Sequence, residues 1–109
     1  MTQDQTLETV DRIVSRIVQV AHPKRVVWFG SGARGEMRPD SDLDFLVIVP
    51  GPTHRGRLTE QIYLNLFGVG HPADVVVVTQ DDVDRYQDNP FLVIEPALRE
   101  GRVVYDEQK

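Results

Sequence analysis

The sequence predicts a small α/β domain of the α+β type, in which helices pack on a mixed β-sheet. Three observations support this fold class. Segments with apolar residues at helical spacing alternate with short valine-rich runs, and glycines and prolines separate them. The chain has 109 residues, 40% of them apolar and 27% charged, which is typical of one globular core. We therefore expect a single domain over residues 1–109.

The first predicted element is an amphipathic helix. Its apolar residues recur at intervals of three and four: Leu7, Val10, Ile13, Val14, Ile17, Val18 and Ala21. Pro23 is expected to end the helix, because the residue before a proline is disfavoured in the helical region. The run from Arg25 to Phe29 is typical of a short buried strand.

Two helices and two strands are predicted in the middle of the chain. A short polar helix over residues 31–36 precedes a strand over residues 42–49, and four consecutive valines indicate a buried strand over residues 73–79. A helix over residues 54–67 is indicated by apolar side chains at helical spacing: Leu58, Ile62, Leu66 and Phe67. Gly68 is typical of the end of such a helix.

The last third of the chain predicts two more helices and an edge strand. A capping box that begins at Thr79 indicates a short helix reaching Tyr86. Asn89 is a candidate start for the next helix, in which Pro96 removes one hydrogen bond and predicts a kink. Residues 103–105 are expected to form a short edge strand.

Composition excludes several classes of protein. The chain has no cysteine, which excludes a disulfide scaffold, a thiol nucleophile and a cysteine-based zinc or iron–sulfur site. The polar, acidic start is not a signal peptide, and no apolar run approaches the roughly 20 residues of a membrane span. We therefore expect a cytoplasmic protein without membrane attachment.

The charge distribution argues against binding to long nucleic acid. The formal net charge is −5, and residues 56–109 carry the whole acidic excess. Proteins that bind duplex nucleic acid through its phosphates usually show a basic field, which is missing here.

Asp42 and Asp44 are the first candidates for chemistry. Side chains two positions apart on a strand share a face and lie about 6.6 Å apart along the chain. Two carboxylates beside an apolar run repel each other and lose hydration, so a cation would stabilise them. Oxygen ligands suit Mg²⁺ or Mn²⁺. Taken alone, such a pair more often marks a solvated strand start, so the rest of the stretch decides.

Gly30 and Ser31 supply a second feature, a candidate phosphate loop. Glycine lets a phosphate approach the backbone, and free N–H groups at a helix start favour an anion. Taken alone, Gly-Ser is more often an ordinary turn. Asp74, which opens an apolar strand, is the third feature. If its strand lies beside that of Asp44, the three carboxylates form a cluster suited to two divalent ions.

These residues resemble the DNA polymerase β-type nucleotidyltransferase superfamily, and more narrowly its minimal nucleotidyltransferases (MNT). The pattern that carries the resemblance is Gly30-Ser31-x-Ala33-Arg34-Gly35, then Ser41-Asp42-x-Asp44, then Asp74. The resemblance covers nearly the whole chain and implies a polymerase β-like fold. It also implies that Gly30 and Ser31 contact nucleotide phosphates and that Asp42 and Asp44 bind metal. Asp74 would aid the catalytic metal and deprotonate the acceptor hydroxyl.

The function implied by the resemblance is transfer of AMP, or another nucleotide, from Mg·ATP to a hydroxyl. For some minimal members that hydroxyl belongs to a tyrosine of a partner protein. Such members are often antitoxins paired with a small helical HEPN-type toxin. Two alternatives stay open: a binding module that neutralises the toxin by masking it, and an enzyme acting on an aminoglycoside-like small molecule.

Two arginines within this stretch are ambiguous. Arg34 lies inside the pattern and is a candidate for phosphate binding, since its guanidinium can form a bidentate contact. It is equally consistent with a solvated loop residue. Arg38 is more typical of a solvated loop.

Overall fold

A computed structural model of the chain describes residues 2–35, 42–89 and 92–108. Its elements alternate as the sequence predicts. They are, in chain order, α1 (Gln3–Ala21), β1 (Arg25–Phe29), β2 (Leu43–Val49), α2 (Arg55–Asn65), β3 (Ala73–Thr79), α3 (Gln80–Tyr86), α4 (Ile94–Glu100) and β4 (Arg102–Asp106). The predicted α+β class with a mixed sheet is confirmed.

The four strands form one sheet in the order β3-β2-β1-β4. β1 is antiparallel to both β2 and β4, whereas β2 and β3 run parallel and are connected through α2. β3 and β4 are therefore the two edge strands. This order places the amino-terminal ends of β2 and β3 together, next to the carboxyl-terminal end of β1.

The two faces of the sheet carry separate apolar clusters. On one face Val26, Phe45 and Val47 pack with Ile13 and Ile17 of α1, and on the other Val27, Leu46 and Ile48 pack against α3 and α4. Side chains alternate along each strand, so one strand supplies both clusters. None of the described helices has the length and apolar content that a bilayer crossing requires.

Helix α1 begins and ends as local chemistry dictates. The Thr2 hydroxyl accepts from the Gln5 N–H, and the Gln5 side chain accepts from the Thr2 N–H, which completes a capping box. At the other end His22 adopts a left-handed conformation with φ 45°, consistent with the exclusion of residues before proline from the helical region. The predicted end of the helix is confirmed.

The predicted helix over residues 31–36 is wrong within the part that the structure describes. Ser31–Gly35 form a hydrogen-bonded turn, in which the Arg34 N–H is shared between the carbonyls of Gly30 and Ser31. Gly30 and Gly35 have φ values of 85° and 80°, which right-handed helix does not allow. The turn is thus bounded by left-handed residues, and Glu36 lies outside the described residues.

The helix predicted to begin at Asn89 begins later, at Ile94. Pro96 therefore lies in the first turn of α4, where its missing N–H removes no hydrogen bond. Because Pro96 removes no hydrogen bond at this position, it does not require the predicted kink in the helix. Pro90 and Phe91 lie outside the described residues.

Helix α2 is anchored at both ends. His54 Nδ1 accepts from the Arg57 N–H at the start. At the other end the Arg16 guanidinium of α1 donates to the carbonyls of Asn65 and Phe67 at 3.2 and 3.0 Å. Carbonyls at a helix end have no partner within the helix, so the arginine stabilises this end and fixes α2 against α1. Gly68, with φ 86°, follows as predicted.

Candidate active site

The parallel pairing of β2 and β3 places Asp44 directly opposite Asp74. Both side chains lie on the face of the sheet that carries α3 and α4, since Asp44 is two residues before Leu46 and Asp74 two residues before Val76, which belong to the cluster on that face. Asp42 comes one residue before β2, and the Leu43 N–H donates to the Pro72 carbonyl at 3.2 Å, so the two strands enter the sheet together. This register brings Asp44 and Asp74 together as predicted, and Asp42 lies just before the start of β2.

The three carboxylates interact electrostatically. The pKa of Asp44 is raised, first by burial and then by the negative charges of Asp74 and Asp42. Asp44 is half-buried, whereas Asp42 and Asp74 are exposed. A divalent cation among them would relieve both the burial cost and the repulsion.

The three carboxylates have the right chemistry for Mg²⁺, but they do not surround one ion position. Carboxylate oxygens are the ligands that Mg²⁺ prefers, and the charge of two or three of them suits it. Within residues 2–35, 42–89 and 92–108, no three His, Cys, Asp or Glu side chains converge as a metal site. The structure thus pairs Asp44 with Asp74, but the described side chains do not bring all three carboxylates to one ion position.

Gly30 lies against Asp44. Phe29 is paired with Asp44 across β1 and β2, and the chain leaves β1 at Gly30 with φ 85°. A Cβ atom built on Gly30 would collide with Asp44 Oδ2. Glycine is thus favoured here by its positive φ, and a larger residue would also have to displace the Asp44 carboxylate. The candidate phosphate loop therefore lies next to the Asp44 carboxylate.

The turn that follows Gly30 offers backbone donors. In the part of the chain that the structure describes, the N–H groups of Ser31, Gly32 and Ala33 make no hydrogen bond. Successive unbonded N–H groups in a turn can bind an anion without a helix dipole. The candidate phosphate loop therefore does not depend on the helix that the sequence predicted.

Arg34 forms an ion pair with Glu100 of α4, with Nη1 to Oε2 at 3.4 Å. Both side chains are about two-fifths exposed (43% and 39%), so this pair contributes little to stability. Arg38 lies outside the described residues.

Tyr63 of α2 also belongs to this site, and the sequence did not indicate it. Its hydroxyl donates to Asp74 Oδ1 at 3.3 Å and accepts from the Val75 N–H at 2.8 Å. The pKa of Tyr63 is raised by burial, and by the charge of Asp74 and the hydrogen bond to it, while the bond from Val75 opposes the rise. Tyr63 lies in a segment with apolar residues at helical spacing. That pattern does not predict that its side chain contacts the edge strand β3.

An exposed apolar surface adjoins Asp74. It is formed by Tyr63, Leu64 and Phe67, and we call it the α2 surface. Leu64 and Phe67 are 77% and 88% exposed, and Tyr63 connects the surface to Asp74 through its hydroxyl. Large apolar side chains exposed together are typical of contact surfaces.

One family profile, described as a nucleotidyltransferase domain, matches residues 7–103. The matched range includes Gly30, Ser31 and all three aspartates. No curated protein matches the chain by sequence.

Several solved structures share the fold. A protein provisionally described as a nucleotidyltransferase, from Sulfolobus solfataricus, has a TM-score of 0.69 at 20% identity, over 98% of this chain and 86% of its own. A toxin–antitoxin structure with AMP-PNP has a TM-score of 0.55 at 18% identity, over 89% and 73%. Spectinomycin adenyltransferase AAD(9) from Enterococcus faecialis, with ATP and spectinomycin, has a TM-score of 0.58 at 16% identity, over 94% and 56%.

Proposed function

The chain belongs to the nucleotidyltransferase domain family, and we propose that it transfers AMP from Mg·ATP to a hydroxyl group. One observation carries this proposal: the Gly30 loop lies in contact with Asp44, which is paired with Asp74. A phosphate-binding loop and a metal-binding carboxylate pair in contact can hold the two parts of one metal–nucleotide complex. The reaction would take place in the cytoplasm, where ATP is available.

Each residue has a task in the proposed reaction. The Ser31 hydroxyl and the N–H groups of residues 31–33 donate to phosphate oxygens, with Arg34 as a further donor. Asp42, Asp44 and Asp74 would hold two Mg²⁺ ions, or Mn²⁺, and the bound ions would offset the phosphate charge and acidify the acceptor hydroxyl.

The proposed reaction forms one bond and breaks another. The acceptor oxygen forms a bond to the α-phosphorus while the bond from that phosphorus to the pyrophosphate oxygen breaks. Asp74 takes the hydroxyl proton. The remaining contribution of the protein is placement and charge compensation.

We infer that the acceptor is a tyrosine of a partner protein. The α2 surface supports this choice, because a protein docked on Leu64 and Phe67 would lie beside Asp74. The fold shared with a toxin–antitoxin structure agrees with it. The chain would then be the antitoxin of a pair whose toxin is a small helical HEPN-type protein.

The experiment is transfer of label from ATP marked at the α-phosphate to a purified HEPN-type toxin partner. Label should reach the partner with the native protein and with Asp11→Asn, a matched change at an exposed residue of α1. Asp44→Asn should reduce transfer by about 10²-fold or more, as losses of charge-stabilising groups in active sites do. Equal transfer by all three proteins would refute the proposed role of Asp44.

The two alternative functions predict different experimental results. If Asp44→Asn and Asp42→Asn still neutralise the toxin fully, the protein acts by masking, which the α2 surface also supports. Turnover of an aminoglycoside-like alcohol without any partner would indicate a small-molecule enzyme. The shared fold with spectinomycin adenyltransferase favours including this assay, although the chain spans only 56% of that protein.

A further inference from the structure

The Tyr63 hydroxyl lies between α2 and the start of β3. It accepts from the Val75 N–H at 2.8 Å and donates to Asp74 Oδ1 at 3.3 Å. The proposed reaction assigns no task to this side chain. Two bonds to consecutive residues, one of them a candidate metal ligand, call for a separate explanation.

The bond to Val75 follows from the sheet topology. β3 is an edge strand with β2 on one side only. N–H groups on its outer side have no strand to bind and need another acceptor. Tyr63 provides that acceptor for Val75, the residue next to Asp74. Its helix is itself held by the bonds from Arg16 to the carbonyls of Asn65 and Phe67.

The hydrogen bond from the Val75 N–H sets the direction of the hydrogen bond between Tyr63 and Asp74. An amide N–H can only donate, so the phenolic oxygen uses a lone pair towards Val75 and keeps its own proton for Asp74. Asp74 accepts through Oδ1, which leaves Oδ2 available. Within the described residues, no other group donates to the exposed Asp74 side chain, so this bond is what restrains the carboxylate.

We propose that Tyr63 is a positioning residue, whose hydroxyl holds the Asp74 carboxylate beside Asp44 for metal binding. This inference rests on the proposed function, because it concerns a ligand of the ion used there. A restrained ligand loses less rotamer freedom when the ion binds, and hydrogen-bonded groups behind metal ligands commonly raise metal affinity.

The test compares Tyr63→Phe with Tyr105→Phe. The first change removes the hydroxyl and keeps the ring. The second removes a hydroxyl from β4, at the opposite edge of the sheet, which makes no hydrogen bond in the described part of the chain. Mn²⁺ affinity is measured by electron paramagnetic resonance with a non-hydrolysable ATP analogue. The Mn²⁺ affinity of Tyr63→Phe should fall about three- to tenfold, and that of Tyr105→Phe should not change.

A double-mutant cycle separates positioning from a general structural effect. In an Asp74→Ala background, Tyr63→Phe should no longer alter Mn²⁺ affinity, because alanine has neither the acceptor for the Tyr63 hydroxyl nor a metal ligand. The same loss in both backgrounds would show that Tyr63 acts through the stability of β3 and would overturn the proposal. Unchanged affinity in Tyr63→Phe would also overturn it, while leaving the proposed function intact.

Two further outcomes are decisive. Native protein that binds no Mn²⁺ with the nucleotide analogue would overturn the proposed function and this inference with it. Intact-mass measurement after incubation with Mg·ATP gives the second outcome. One AMP added to the native protein and not to Tyr63→Phe would make Tyr63 an acceptor and not a positioning residue.

Discussion

Strand β2 begins in a cluster of repelling carboxylates and continues into the core of the protein. From Phe45 to Val49 every side chain is at most 2% exposed, and the five residues serve both apolar clusters. At its start Asp44 is half-buried, and burial and two negative neighbours raise the pKa of its carboxyl. The same strand therefore combines a stabilising segment with a destabilising one. The rigid inner segment is what can hold the unfavourable charges in place.

The largest effect on stability is expected inside the core segment. Phe45→Ala removes a fully buried ring and should lower the free energy of unfolding by about 3–5 kcal/mol. Phe67→Ala is the matched control, because Phe67 is 88% exposed, and it should change stability by no more than about 0.5 kcal/mol. Urea denaturation measures both. Similar losses in the two variants would contradict the assignment of the core.

A smaller effect, which extends to metal binding, is expected at the junction of loop and carboxylate. Gly30→Ala and Gly35→Ala both force alanine into positive φ, at a cost of about 1–2 kcal/mol each. Only the methyl group of Gly30→Ala collides, with Asp44 Oδ2; at Gly35 no described atom lies within 4 Å. Gly30→Ala should therefore be the less stable variant.

Metal binding provides the second measurement on this pair. Mg²⁺ with a nucleotide should raise the melting temperatures of the native protein and of Gly35→Ala. It should fail to do so for Gly30→Ala, because Asp44 is displaced. Equal stability and equal response to Mg²⁺ would refute the contact between loop and carboxylate.

The smallest expected effect is a gain in stability at the charged end of β2. The folded-state pKa of Asp44 is raised, so its ionised form destabilises the fold at pH values above that pKa. The penalty disappears as the pH falls and the carboxyl is protonated. Asp44→Asn should thus melt higher than the native protein near pH 7, and the difference should shrink towards about pH 4.

Calorimetry between neutral and acid pH tests this dependence, with Asp11→Asn as the control at an exposed site. Mg²⁺ should narrow or reverse the difference, since it stabilises the native carboxylate cluster and not the variant. A native protein that melts higher than Asp44→Asn at neutral pH without metal would show that the carboxylates do not repel one another.

Elements with strong local patterns were predicted well. The spacing of apolar residues predicted α1 and the strands β1 and β3, and capping chemistry predicted α3 from Thr79. The helix that the polar residues predict over 31–36 is wrong within the described residues, because a turn between the left-handed Gly30 and Gly35 is present there. Positive φ is decided by the path of the backbone, which residue types permit but do not dictate.

Some features of the candidate site were likewise predicted from the sequence, and others were not. The acidic residues were identified from their positions at strand starts, and the register between Asp44 and Asp74 agrees with that reasoning. The Arg34 pair with Glu100 was not foreseen, since it connects residues 66 positions apart in the sequence. Whether Asp42, Asp44 and Asp74 bind metal stays a prediction.

The sequence by itself determined the fold class, the order of most helices and strands, and the candidate residues for binding a metal–nucleotide complex. These depend on local periodicity, capping and residue chemistry. Only the tertiary structure decided that β3 is an edge strand, that Gly30 contacts Asp44, and that Tyr63 reaches Asp74. These features depend on how helices cover the two faces of the sheet, and a contact between segments distant in sequence leaves no periodic trace in either of them.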